Sequence, residues 1–382
     1  MHQTIVLGGG MVGGVMALDL AADPGRSVTL IDANEDSLAA AASQNADLRT
    51  EIADLSCPAT VRGLAERADL IVGALPSRLG FEALKAVIAT GRPYCDISFM
   101  PEDAWKLDEL AKASGSVAVI DCGVAPGMSN LCAGLATHRL NPCRSIVIRV
   151  GGLPLERTMP WQYKAAFSPS DVIEEYLRPA RVVQGSKVII REALSEPVLI
   201  DFPETGTLEA FNTDGLRSLT ETLDVPDMLE QTLRYPGHRD LVWALREAGM
   251  LSEDPVEVDG QLVTPRDLTC NAIFPSWTYE SGEVDLTVMR VEAEGDLDGA
   301  PVRLTWDLYD QLDPETGWTS MARTTAFPAT IMARQLEAGR VVEAGVHPPE
   351  LLASNEALVQ TMFEELQARG VCYRETITPL DH

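Results

Sequence analysis

Residues 4–32 constrain this chain more than any other stretch. An apolar strand, TIVLG, runs into Gly8-Gly9-Gly10-Met11-Val12-Gly13, and a second apolar strand, VTLID, ends at Asp32. The three glycines of a GxGxxG spacing have separate tasks. The first allows a tight turn at Gly8, the second lets backbone approach a pyrophosphate at Gly10, and the third lets helix pack closely on strand at Gly13. Met11 and Val12 lie within the same turn and count with the glycines as cofactor contacts. Asp32 follows Gly13 by about 20 residues, the spacing of a carboxylate that accepts hydrogen bonds from an adenosine ribose. Strand, glycines, helix, strand and acid in that order predict a dinucleotide site. The same carboxylate repels a 2′-phosphate, and no Lys or Arg stands between Asp32 and Arg49 to receive one, so NAD rather than NADP is expected.

The pattern beyond residue 32 alternates: helix 35–45, a short strand at 51–53, helix 58–66, strand 69–74, helix 80–90, strand 93–96, helix 101–114 and strand 116–121. Such alternation requires crossover connections and predicts a doubly wound, parallel α/β sheet of the Rossmann type over residues 1–123. Ligands bind beyond the carboxyl ends of such strands, which makes Asp54, Leu75, Pro76 and Ser98 further candidates for the cofactor wall. After Gly123 the texture changes to strands and turns (SIVIRVGGL, RVVQGSKVIIRE, VDLTVMRVEAEG, VRLTWDLYDQ) with helices near 168–177, 214–222 and 239–248. This predicts an antiparallel sheet with helices on one face, an α+β substrate and dimerisation domain over 124–325. Residues 326–382 are expected to return to the first domain, with VCYRETIT as a closing strand there.

The 382 residues are 46% hydrophobic and carry a net charge of −27, enough apolar content for two cores and the wrong sign for nucleic acid or anionic lipid. The start enters a strand directly, without a basic region or apolar signal core, and no apolar run reaches the roughly 20 residues that span a bilayer. Seven scattered cysteines form no CxxC pair, and five histidines show no metal-ligand spacing. A cytoplasmic protein with reduced thiols, no metal and no membrane partner is expected.

Three segments, VIDCGVAPGMSN (119–130), EAFNTDGLRSL (209–219) and TLRYPGH (232–238), resemble the signatures of lysine 6-dehydrogenases within the wider saccharopine dehydrogenase-like family. The resemblance continues through YKAAFSPSDVIEEYLRPARVVQG (163–185) and TSMARTTAFPATIMARQLEAG (319–339). It implies NAD-dependent oxidation of the ε-amine of L-lysine to an imine that hydrolyses or cyclises, by a homodimer or higher homo-oligomer. Two departures set the chain apart from saccharopine-handling relatives: Ala125 replaces the aspartate of a GLDPG run, and Ser168-Pro169-Ser170-Asp171 lacks the arginine of an SPRG run. Both favour a smaller, more cationic substrate. A saccharopine- or carboxynorspermidine-type enzyme that forms or cleaves a secondary amine is the alternative. An NAD-binding sensor without turnover is the rival from another class.

The reaction then assigns candidate roles. A planar guanidinium suits the substrate carboxylate, which points to Arg234. Hydride leaves carbon only as the nitrogen lone pair forms C=N, so a group must take a proton. His238 is the natural titrating candidate, and Tyr163 beside Lys164 is the second. Asn212, Thr213, Asp214 and Asn130 are further candidates for substrate contact. Asx turns and helix caps account equally for Asn212 to Asp214, and Cys122 reads as a buried thiol.

Overall fold

The computed structural model describes residues 2–380. Its first sheet has seven parallel strands in the order Gly345–His347, Val117–Val119, Tyr94–Asp96, Leu70–Gly73, His2–Leu7, Arg26–Asp32, Arg49–Ile52. Runs such as Leu70–Gly73 are buried at every position, as a parallel strand covered on both faces must be. The strand order reverses between His2–Leu7 and Leu70–Gly73, which opens a crevice above their carboxyl ends. The expected helix 101–114 is divided into a 3₁₀ turn, Ala104–Leu107, and a helix, Asp108–Ser114.

The second sheet runs Val198–Phe202, Gly206–Asn212, Asp227–Arg234, Cys143–Pro154, Asp285–Leu297, Ala300–Gln311, Tyr373–Pro379, and the hairpin of Ala180–Gln184 and Lys187–Arg191 joins it beside Asp227–Arg234. It is mixed rather than wholly antiparallel, because Asp227–Arg234 pairs parallel with Cys143–Pro154. The expected helix over 214–222 shrinks to Leu219–Thr222.

The closing strand departs from expectation. Tyr373–Pro379 pairs antiparallel with Ala300–Gln311 in the second sheet, and the C-terminal contribution to the first sheet is Gly345–His347. The physical reason is edge protection: Ala300–Gln311 would otherwise leave a twelve-residue edge unpaired. Gly345–His347 is too short to register as a strand from pattern alone.

One helix ties the sheets together. Ser320–Glu337 is capped by Thr319, whose side chain accepts from Ala322 N, and it packs along Met11–Ala21. Its Ala326, Ile331 and Met332 join Val6, Leu30 and Val72 of the first sheet and Met289, Val291 and Leu304 of the second in one continuous apolar core. Arg334 anchors it by donating to Asp19 at 2.7 Å and to Asp23 at 2.9 Å, and Arg369 donates to Asp19 at 2.9 Å. Burial works to raise the Asp19 pKa, but Arg334 and Arg369 outweigh it and hold the carboxyl below its ordinary value.

A second clamp crosses the domains at the cleft. Arg217 donates to both Asp121 oxygens at 3.1 Å and to the Met100 carbonyl at 2.7 Å, with its guanidinium 4.8 Å from the Phe99 ring centroid. Removing one partner of a buried pair strands the other charge. Arg217→Met is therefore expected to lower stability by about 3–5 kcal/mol, measured as a lower urea midpoint, whereas adding Asp121→Asn, which is neutral and tolerates the left-handed backbone there (φ +49°), should recover part of it. An unchanged midpoint for the single variant would remove the pair from this role.

Candidate active site

The crevice above the strand-order reversal continues into a cleft of about 600 Å³ between the two domains. Its floor on the first domain is the glycine turn, where Gly8 and Gly13 are required sterically and Gly10 leaves the backbone open. Gly8 has φ +98°, and a Cβ there would lie 2.3 Å from the Ala74 carbonyl oxygen. A Cβ on Gly13 would lie 1.9 Å from the Gly8 carbonyl oxygen, whereas Gly10 has nothing within 4 Å and faces open cleft. Gly10 caps helix Met11–Ala21 without a side chain, so the N–H groups of the first turn remain free to hold an anion.

Asp32 accepts from Gly9 N at 2.6 Å and from Asn34 N at 2.7 Å, which fixes its carboxylate at the cleft wall. Asp54, Leu75 and Pro76 line the cleft with it. Asp54 is held by the Ser56 hydroxyl, which keeps its carboxyl below the ordinary value. Open backbone at Gly10, an uncapped helix start and an anchored carboxylate fit a dinucleotide: the first two take the pyrophosphate and Asp32 the ribose hydroxyls.

The opposite wall comes from strand Asp227–Arg234 and helix Pro169–Leu177. Alternation along the strand sends Glu230, Thr232 and Arg234 to the same face, and all three line the cleft with Asp171, Glu175, Thr213 and Asp214. Arg234 donates to Tyr176 Oη at 2.9 Å, to the Leu233 carbonyl at 2.9 Å and to Glu175 at 3.2 Å. Thr213 donates to Glu230 at 2.8 Å and accepts from Thr232 at 2.8 Å. Asp214 is bridged to Arg181 at 2.8 Å. Burial pushes Glu175 up to about 7 against the pull of Arg234, and pushes Glu230 up to about 8. Ser77 of the first domain donates to Asp171 at 2.7 Å, joining the two walls.

Several sequence-predicted residues lie elsewhere. His238 is fully buried behind the wall. Its Nδ1 lies 2.9 Å from the Trp161 carbonyl and must donate to it, so Nε2 accepts from Tyr176 Oη at 3.0 Å. That oxygen in turn accepts from Arg234. His238 therefore orients Arg234 through Tyr176 and does not reach the cleft. Burial, with the Arg234 charge adding, pulls its pKa down to about 3, so the ring stays neutral. Tyr163 lies flat beneath Arg234, 4.6 Å from guanidinium carbon to ring centroid, and burial holds its phenol well above the ordinary value. Lys164 points away to Glu283, so it cannot ease that phenol's ionisation. Asn130 caps its own helix at Gly127 N and donates to Glu350. Asn212 faces the other side of the sheet, bonded to Ser195, Glu196 and Gln231. Ser98 sits behind the wall, between Leu75 N and Asp96. Cys122 is buried.

Glu175, Glu230 and Thr232 are the cleft residues that motif reading missed. The period-two polar pattern of Glu230, Thr232 and Arg234 along an otherwise buried strand was the available signal.

Fold and glycine turn together define a two-domain, dinucleotide-binding oxidoreductase. Residues 4–119 match the saccharopine dehydrogenase NADP binding domain and residues 123–371 match the saccharopine dehydrogenase C-terminal domain; the chain belongs to the saccharopine dehydrogenase family. It is 21% identical to the saccharopine dehydrogenase [NADP(+), L-glutamate-forming] of Schizosaccharomyces pombe, over 82% of this chain and 86% of that one. It is 20% identical to the mitochondrial alpha-aminoadipic semialdehyde synthase of Bos taurus over 80% of this chain, and spans 40% of that longer protein. Apo saccharopine dehydrogenase (L-Glu forming) from Saccharomyces cerevisiae has the same fold, with a TM-score of 0.81 at 18% identity, covering 99% of this chain and 100% of that one.

Two outcomes follow from this geometry. Gly13→Ala should abolish nucleotide binding, measured by fluorescence titration with NADH, because the new methyl collides with the Gly8 backbone. His238→Gln should cost about 1–3 kcal/mol of stability by leaving the Tyr176 hydroxyl poorly paired. It should leave every inflection of the activity-pH profile between about pH 5 and 8 in place. A lost inflection would return this histidine to the chemistry.

Proposed function

We propose that this protein is an NAD-dependent amine dehydrogenase that oxidises the ε-amine of L-lysine to an imine, which hydrolyses to the semialdehyde or cyclises. The observation that carries this reading is the composition of the substrate wall: four carboxyl groups, Asp171, Glu175, Asp214 and Glu230, face a cleft whose second-domain lining offers one guanidinium, Arg234. Three of the five guanidinium N–H donors are used by Tyr176, Leu233 and Glu175, which leaves two for an amino-acid carboxylate. The carboxylates suit an ammonium. A nucleotide bound at the glycine turn supplies the hydride acceptor. Asp32, with no Lys or Arg before Arg49, favours NAD over the NADP that the matched family domain and the yeast relative carry in their names.

The second reading is a saccharopine-type enzyme that forms or cleaves a secondary amine, and the family match over nearly the whole chain favours it. Saccharopine carries additional carboxylates, and among the described residues the second-domain wall offers no second guanidinium to hold them.

NADH or NADPH formation with L-lysine, saccharopine and carboxynorspermidine separates the two. The expected result is turnover with lysine and NAD that climbs toward alkaline pH, because the ammonium, whose pKa in water is about 10.4, must give up a proton before hydride can leave. Turnover confined to saccharopine would overturn the lysine reading. Asp32→Ala should weaken NAD about tenfold or more while leaving NADP nearly unchanged, since a charge-assisted hydrogen bond contributes about 1.5–3 kcal/mol.

A further inference from the structure

Glu230 is 4% exposed, lines the cleft, and has no cationic partner among the described residues. Its Oε2 accepts from Thr213 and lies against the Gly215 backbone, where a Cβ would come within 2.4 Å of it. The Gly215 backbone also bonds this carboxyl, and no side-chain donor among the described residues reaches Oε1. The fold therefore makes room for this carboxyl at the expense of a side chain on residue 215, fixes one oxygen and leaves the other toward the cleft. Its charged surroundings are acidic as well. Glu175 approaches from helix Pro169–Leu177 and Asp214 from the loop beside it, and Asp171 lines the same cleft. Of the second domain's cations, Arg234 is engaged by Glu175 and Arg181 by Asp214, while Arg78 lines the cleft from the first domain. On its own strand, four residues separate Glu230 from Arg234, which sets their backbones about 13 Å apart. An extended diamino acid reaching between the two would meet a cation at one end and a carboxyl at the other.

Resting on the amine dehydrogenase reading above, we propose that Glu230 is the counter-charge and proton acceptor for the terminal ammonium of the substrate. The ammonium enters against Oε1; its N–H proton then passes to that oxygen, leaving the nitrogen lone pair free and the carboxyl neutral. No electron changes hands in this step. Burial among like charges holds the empty carboxyl protonated at neutral pH, with its pKa pushed up to about 8. A cationic amine can pair with it only if that proton first leaves for solvent. Binding at neutral pH is thereby coupled to proton release, and the coupling fades once the pH exceeds 8.

Isothermal calorimetry tests this directly. L-lysine is titrated into the protein, with and without NADH, at pH 7 and at about pH 9.5 in pairs of buffers that differ in ionisation enthalpy. The expected result is release of about one proton per lysine at pH 7 and almost none at the higher pH, with affinity rising about tenfold per pH unit below 8. L-Norleucine, which keeps the carboxylate and α-ammonium but lacks the terminal one, should release no proton. Glu230→Gln should weaken lysine at least about tenfold at pH 8 and abolish the release, while NADH affinity and melting temperature show that the variant is folded. Wild-type binding without proton release, equal release with norleucine, or undiminished release in Glu230→Gln overturns the assignment to Glu230. If the wild type oxidises lysine while any of these holds, the dehydrogenase reading survives alone. If the wild type neither binds nor oxidises any amine, that reading falls and takes this one with it.

Discussion

Helix Ser320–Glu337 lies between two sheets, and the position of everything else in the cleft depends on its burial. Fifteen of its eighteen residues are buried, so it has almost no solvated face to rotate toward water. Apolar side chains on one flank belong to the first sheet and on the other to the second, and interiors packed at crystal-like density transmit displacement rather than absorb it. The helix also supplies Met321 and Thr325 to the cleft lining. Its polar residues are fixed in place: Arg334 and Thr330 on Asp19, and Arg323 on Asp310 at 3.1 Å. The distance from glycine turn to acidic wall is therefore a property of one packed core.

The nucleotide half of this arrangement was legible in the sequence because local geometry determines it. Gly8 and Gly13 each meet a steric demand that only glycine satisfies, while Gly10 leaves the backbone bare toward the cleft, and this combination recurs wherever a strand turns into a helix around a pyrophosphate. Strand and helix alternation read correctly for the same reason. The second domain was legible only in outline. Its parallel pair, Asp227–Arg234 with Cys143–Pro154, joins residues about eighty positions apart, and no local pattern encodes such a pairing. Tyr373–Pro379 joins the second sheet and not the first for the same cause: a short strand fits any open edge, and no local pattern selects one.

The catalytic candidates show why residue type alone misleads. His238 has the ordinary chemistry of a proton carrier, yet its ring is enclosed by Tyr163, Tyr176 and Trp277, with Nδ1 bound to the Trp161 carbonyl and Nε2 to Tyr176. Lys164 adjoins Tyr163 in sequence but points away from it, since adjacent residues on an extended chain diverge. Glu230 carries no motif. Its importance lies in what surrounds it, and that environment exists only after strand, loop and helix have met.

The first sheet is completed by Gly345–His347, a strand that follows the whole second domain in the chain. During synthesis the nucleotide-binding half must wait, one strand short and without the helix that covers its face, until more than two hundred further residues have emerged from the ribosome. The nucleotide-binding half is completed only by chain that follows the second domain. A gene fragment cut at the apparent boundary near residue 123 would yield a sticky, half-dressed sheet instead of a minimal coenzyme-binding module.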